Sequence, residues 1–351
     1  MNIIKKKGVG RLSKKYGWLL MLLFMSQWIS AQRGGESLYG LLHLTQSARV
    51  TALGGSQAGL HDRNLSILQH NPAVLDSVHT RQVSLSYVNY MAGINYGFGG
   101  LAWHFEGLGT MALGFQHTAY GDFIAAEIDG TRTGYFNAGE TVIQATYSRP
   151  LSTRWTAGLS LKPVFSRLEA YKSWGLAADA GLFYRSDDGL FNGGLVYRNF
   201  GRQFTSYSSA PTESLPGYIQ LGISQKLAHA PFRVSLTAQD LFSGSLSYTL
   251  PESSESGTTI HQEEESGFDK VIKHFVLGLE FVPSDNFYVA GGFNPRRRSE
   301  LKMNNKASTT GLSWGFGFRI AHFHFAYGSA RYHLGGTSNH FSITTNLHSY
   351  R

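Results

Sequence analysis

Between Gly311 and Ile320 the chain splits into two faces when read in steps of two. Leu312, Trp314, Phe316, Phe318 and Ile320 fall on one, and Gly311, Ser313, Gly315, Gly317 and Arg319 on the other. Successive strand side chains point to opposite faces, so this stretch builds a wall with grease on one side and small or polar groups on the other. The split recurs. Trp155, Ala157, Leu159 and Leu161 oppose Gly158, Ser160 and Lys162; Phe232, Val234, Leu236 and Ala238 oppose Arg233, Ser235, Thr237 and Gln239; Phe275, Leu277, Leu279 and Phe281 oppose His274, Gly278 and Glu280. A soluble sandwich or propeller also has many short strands, but needs a wet outer face where this chain carries Trp, Phe and Leu. The pattern predicts an all-β fold: a transmembrane antiparallel β-barrel.

From about Arg81 onward, about fourteen strands fit, each near the roughly 9–11 residues that a tilted membrane strand needs. The expected spans are 81–91, 93–104, 110–120, 141–149, 155–166, 175–186, 190–199, 216–227, 231–243, 271–283, 286–294, 309–321, 322–332 and 339–349. Short turns at 105–109, 150–154, 187–189, 228–230, 284–285 and 321–322 alternate with longer polar connections at 121–140, 167–174, 200–215, 244–270, 295–308 and 333–338. Short periplasmic turns, long external loops and an even strand count are the habit of bacterial outer-membrane barrels.

The N-terminal 1–31 reads as a cleaved signal peptide. Lys5, Lys6, Lys7, Arg11, Lys14 and Lys15 precede the apolar run Trp18 to Met25, and Ser30-Ala31 offers a small-residue cleavage site. That run is about half of the ~20 residues a membrane helix requires. Removing six cations lowers the formal net charge from +8 to +2, so the basic balance gives no ground for nucleic-acid binding. With no cysteine, the exported chain has neither disulfides nor thiolate metal sites. The 41 glycines and 13% aromatic content suit a lumen of small residues between aromatic girdles.

Residues 32–80 lack the alternation and precede the wall at 81–351, so they are expected to form a plug inside it. This stretch holds Gly34-Gly35-Glu36-Ser37, then Ser47-Ala48-Arg49-Val50-Thr51-Ala52-Leu53-Gly54-Gly55, and then His70-Asn71-Pro72-Ala73-Val74-Leu75. The Gly-Gly pair permits a turn with positive φ, and Asn-Pro fixes a bend. The Ser-Ala-Arg…Ala-Leu-Gly-Gly motif followed by Asn-Pro-Ala resembles the PorV/PorQ family, whose barrels are similar to the FadL-like fatty-acid transporters. With Gly-Gly-Glu-Ser, the short length and the absence of cysteine, the likeness is nearest the PorQ branch.

That resemblance implies an outer-membrane subunit of the type IX secretion system attachment complex of Bacteroidetes. Its implied partners are PorV, the sortase PorU and a PorZ-like surface protein that binds anionic lipopolysaccharide. On Arg49, Gly54, Gly55, Asn71 and Pro72, which match the family motif, it implies architecture and no catalysis. The second function class is a FadL-like channel for hydrophobic small molecules, gated by the plug.

Two charged connections are candidate docking surfaces. Glu263, Glu264 and Glu265 make 244–270 acidic, and Arg296, Arg297 and Arg298 make 295–308 basic. Solvated loop charge is the common explanation of such runs, and contact with lipopolysaccharide phosphates or an acidic partner is the sharper one. Lys162, Asp179, Arg233, Glu280 and Arg319 fall on small-residue faces and are expected in the lumen, pairing wall to wall or wall to plug. His322 and His324 share a face, but no third ligand stands at metal spacing. Gly311-x-Ser313-x-Gly315 has the letters of a nucleophile elbow but falls inside an alternating strand rather than at a strand-to-helix turn, and Gly97, Gly99 and Gly100 likewise sit in a strand rather than in a phosphate loop. No enzymatic function and no cofactor is expected.

Overall fold

Fourteen antiparallel strands close on themselves in the computed structural model, which describes residues 38–207, 211–215, 217–241, 267–301, 309–333 and 336–347. They are β1 Gln82–Asn89, β2 Asn95–Phe105, β3 Gly109–Ala126, β4 Arg132–Pro150, β5 Trp155–Leu168, β6 Tyr171–Arg185 and β7 Phe191–Thr205. The two-residue β8, Ser214–Leu215, pairs only with β7 and is no part of the wall. The wall continues with β9 Tyr218–Lys226, β10 Phe232–Gln239, β11 Phe275–Ser284, β12 Phe287–Phe293, β13 Leu312–Ile320, β14 Phe323–His333 and β15 Gly336–Asn346. Closure comes from β1 pairing with β15, from Gln82↔Asn346 to Asn89↔Asn339. A closed ladder leaves no unpaired edge, which a hydrocarbon solvent requires.

The predicted alternation is realised. On β5, Leu159 and Leu161 are exposed outward while Ser160 and Lys162 are buried within; on β13, Leu312 and Trp314 face out and Ser313 faces in. All six short turns lie at one end with both barrel termini, and by the short-turn rule this is the periplasmic end.

The opposite end departs from expectation. Residues 121–140, read as a long loop, are mostly strand: β3 runs for 18 residues and β4 for 19, leaving the tip at 127–131. Likewise the expected loop 167–174 shrinks to Glu169-Ala170, with Glu169 at φ 58, and the 333–338 connection to two residues. Past the membrane edge both faces of a hairpin may be polar, so the alternation ends before the strands do. On the far side a helix α3, Pro295–Leu301, occupies part of the 295–308 connection, and α2, Gly267–Ile272, stands where the 271–283 strand was expected to begin.

Inside lies the segment 38–80. It is a series of short helical turns, namely 3-10 turns at Gly40–His43, Leu65–Gln69, Pro72–Val74 and Ser77–His79 and one α-helix, α1, at Ala48–Ala52. Leu41, Leu53, Leu60, Ile67 and Leu68 are fully buried, and the plug residues Val50, Leu60 and Val74 pack with the wall residues Phe183 and Tyr288 in one cluster. The apolar core of this protein is thus its plug. Glycines on the lumenal face are more than filler: a Cβ at Gly328 would overlap the Ala48 carbonyl, and one at Gly194 the Ala58 carbonyl. Residues 1–31, Gly34 to Ser37 and Glu263 to Glu265 lie outside the described residues.

Candidate functional site

The plug motif forms a capped turn and a bend. Ser47 Oγ accepts from the Val50 N–H at 3.3 Å to start α1, and the helix ends at Gly54 and Gly55, whose φ values of 99° and 93° suit glycine. Asn71 Oδ1 accepts from the Ala73 N–H at 3.0 Å, capping the turn that Pro72 begins. The other end of that amide donates to the Ala58 carbonyl at 3.0 Å and, across to the wall, to the Leu182 carbonyl at 3.2 Å.

α1 presents Arg49 to the wall. Its Nε donates to Glu280 Oε1 of β11 at 2.7 Å, its Nη1 to Asp62 Oδ1 at 2.8 Å, and its guanidinium lies 4.5 Å from the centre of the Tyr288 ring. Glu280 also takes Arg233 Nη1 of β10 at 3.2 Å, so one wall carboxylate joins a plug arginine to a wall arginine. Burial opposes ionisation of Asp62, but Arg49 overrides it and lowers the carboxyl below its usual range.

A second cluster stands on the other side of the lumen. Lys162 Nζ of β5 meets Asp179 Oδ1 of β6 at 2.7 Å and also donates to Asn199 Oδ1 of β7. Asn199 has φ 55; its N–H donates to Asp179 Oδ1 at 2.7 Å, and its side-chain amide donates to the Leu42 carbonyl of the plug at 3.2 Å. Around this cluster the wall ladder is interrupted twice. The β4–β5 pairs at Ile143 and Gln144 are missing opposite Pro163, which has no N–H to give, and the β6–β7 register shifts between Ala178 and Ala180.

Wall hydroxyls and amides serve the irregular plug backbone elsewhere. Ser313 donates to the Ala52 carbonyl, Ser224 to Gly59, Ser148 to Leu75, Tyr96 to Thr45 and Gln116 to Leu41, all at 2.9–3.1 Å. A buried segment without regular ladders must find its partners this way. His70 bonds Thr45 Oγ1 at 2.8 Å, and burial, with Arg198 and Lys162 nearby, pushes its imidazole well below its usual value. At the periplasmic mouth Asp76 is held by His61 at 2.9 Å and His79 at 3.0 Å. Burial disfavours its charged form, but those hydrogen bonds prevail and keep the carboxyl far below the usual range.

Of the residues singled out in the sequence, Arg49, Glu280 and Arg233 come together, as do Lys162 and Asp179. Arg319 stands apart at the periplasmic mouth, beside His322 and His324. His324 stacks on Tyr288, with ring centres 6.1 Å apart. The three arginines of α3 differ most from expectation, because they are half-buried rather than free on a loop. Arg296 pairs with the buried Asp240 and with Glu300, both at 2.8 Å; Arg297 lies 4.0 Å over the Tyr332 ring and reaches the Gly54 carbonyl at 3.5 Å; Arg298 donates to the Thr310 carbonyl at 3.3 Å. Arg297 and Asn294, which donates to the Gly54 carbonyl at 3.2 Å, cap the plug from outside. Asp62, Asn199 and Asp240 were missed, since each becomes special only through a partner distant in sequence.

A closed fourteen-stranded barrel filled by its own N-terminal segment defines the class: a plugged barrel of the membrane type. Its fold matches the monoaromatic hydrocarbon channel CymD at 14% identity and a TM-score of 0.51, over 88% of this chain and 99% of that one. The toluene transporter TodX of Pseudomonas putida matches at 10% identity and a TM-score of 0.50, over 86% and 96%. A FadL homologue of Pseudomonas aeruginosa aligns at 9% identity with a TM-score of 0.48, over 87% and 99%. The chain matches no protein-family model. It matches no curated protein sequence.

Proposed function

We propose that this chain is a non-enzymatic outer-membrane barrel subunit of the type IX secretion attachment complex. It anchors a PorZ-like surface partner near the sortase PorU and PorV, and it does so through its external rim. The observation that carries this reading is the fixed plug. Arg49, Asn71, the wall serines and Arg297 of α3 tie it along its length, which leaves the barrel to act by its surfaces. The likeness of residues 47–55 and 70–75 to the PorV/PorQ motif supports the choice of complex. A gentle-detergent co-purification from native membranes, read by mass spectrometry, tests it: surface protein and sortase are expected, and a barrel recovered alone overturns it.

The fold likeness to CymD and TodX, together with the two ladder interruptions beside Lys162 and Asp179, favours a second reading. In it the chain is a FadL-like channel, and hydrophobic small molecules leave sideways through β4–β7 once the plug shifts. Liposomes containing the purified protein distinguish the two. Uptake of toluene above protein-free vesicles supports the channel, and none supports the anchor.

A further inference from the structure

The outer wall carries a cleft that neither reading uses. It has a volume of about 1310 Å³ and lies on the membrane-facing side of β3–β6, near their external ends. Its floor is small, with Ala119 and Gly139 in register across β3 and β4, and the β3–β4 hairpin raises Tyr135 and Phe136 beside it. Phe165 and Trp174 are cross-strand partners on the same outward face, and Trp174 stacks on Phe204 at 4.6 Å.

Directly above that aromatic pair, Arg167 and Lys172 are also cross-strand partners, and both are exposed. Like charges placed opposite one another on a sheet repel. Glu169 and Asp122 line the same cleft, yet among the described residues neither cation forms an ion pair with a carboxylate; Arg167 donates only to the Glu169 carbonyl oxygen at 3.2 Å. The pair therefore presents two adjacent cations that no carboxylate among the described residues meets at ion-pair distance.

Its height in the membrane follows from β5 and β6. Trp155 and Tyr184 pair at the turn end with ring centres 5.0 Å apart, and Phe165 and Trp174 pair ten residues along each strand. Ten residues span about 33 Å of strand. At a tilt of about 40° this is ~25 Å of height, the width of the apolar band between aromatic girdles. Arg167 and Lys172 thus sit one step outside the external girdle, at headgroup level, with apolar wall immediately below.

We propose that this cleft binds an anionic, multiply acylated lipid of the outer leaflet, its phosphate between Arg167 and Lys172 and an acyl chain along Phe165 and Trp174. Two adjacent cations outside any ion pair, above a continuous apolar surface, fit an amphiphile, whereas a soluble anion would use only the top of the site. The inference rests on the outer-membrane orientation given above and not on the identity of any protein partner.

The test uses the full mature barrel in phosphatidylcholine nanodiscs doped with lipid A, with retained lipid counted by native mass spectrometry. Heat-modifiability of each variant verifies that the barrel is folded, so failure of the site is distinct from failure of the barrel reading. Wild type is expected to retain lipid A over phosphatidylcholine, the Arg167→Gln/Lys172→Gln variant to retain at least tenfold less, and Arg167→Lys to restore most of it. Arg149→Gln, at the periplasmic end of β4, should change nothing. Equal retention by the double variant, or equal retention of neutral lipid, overturns the proposal. So does displacement of lipid A by millimolar inorganic phosphate, or capture of a protein in place of lipid at the same residues.

Discussion

Arg49 and Glu280, 231 residues apart in sequence, meet at 2.7 Å in the lumen and tie the plug to the wall. Asp62 completes the clamp from within the plug at 2.8 Å. The first prediction concerns this clamp. Arg49→Ala leaves the buried Asp62 without its cation and Glu280 with Arg233 alone, a loss of about 3–5 kcal/mol for a broken buried pair. The temperature at which the heat-modifiable band unfolds should fall clearly, while Arg319→Ala at the open mouth should leave it nearly unchanged.

Depth in the membrane, not exposure, should decide the cost of charge on the outer face. Leu159 is 59% exposed in the middle of β5 and Leu108 is 58% exposed in the periplasmic turn. Leu159→Arg should impair assembly by about 2–4 kcal/mol, and Leu108→Arg by about 1 kcal/mol or less. Equal yields of folded barrel would refute the placement of the bilayer. Phe316 and Gly317 make a poorer pair for this test, because a Cβ at Gly317 would strike the Tyr288 ring.

Replacing Arg296, Arg297 and Arg298 together by Ala should lower barrel stability. Asp240, 7% exposed, would lose its ion pair with Arg296 at a cost of about 1–3 kcal/mol, and Gly54 would lose part of its external cap. Partial proteolysis of intact cells should then cut within residues 48–60 sooner than in wild type. Unchanged cleavage and unchanged heat-modifiability would show the cap to be dispensable.

Asp76 should confer a pH-dependent hold on the periplasmic end of the plug. Its carboxyl is depressed in the fold, so its contribution is present above the unfolded carboxylate value, about 3.9, and is lost only as pH falls through the lower folded value. Asp76→Asn keeps a side-chain cap for Val78 but removes the charge, costing about 1 kcal/mol at most for a group one-third exposed. The gap between wild type and variant, measured as unfolding midpoints, should be full at pH 7 and shrink in acid below about pH 4. A gap that widens below about pH 4 would contradict the depressed carboxyl.

The wall was legible in the sequence because a lipid outside and a polar lumen inside impose period two on every strand, as Leu159 and Ser160 show. Where that constraint stops, so did the reading: 121–140 passed for loop because no solvent boundary runs through a hairpin standing clear of the bilayer. The plug ties were hidden for another reason. Nothing near Arg49 announces Glu280, and nothing near Arg296 announces Asp240 on a different connection. A run of three arginines resembles solvated charge until its partners arrive through topology.

The joint between β1 and β15 imposes an order of events on the cell. Ala48 of the plug donates its N–H to Ser342 of β15 at 3.4 Å, and Gly328 of β14 lies flush against Ala48. The segment that precedes the wall is therefore wrapped by the strand that completes it, and the tunnel cannot be sealed before β15 is in place. Until then the segment 38–80 lacks the complete fourteen-stranded wall that covers it. Val50, Leu53 and Ile67, fully buried in the finished fold, reach that burial only when the wall has closed around them.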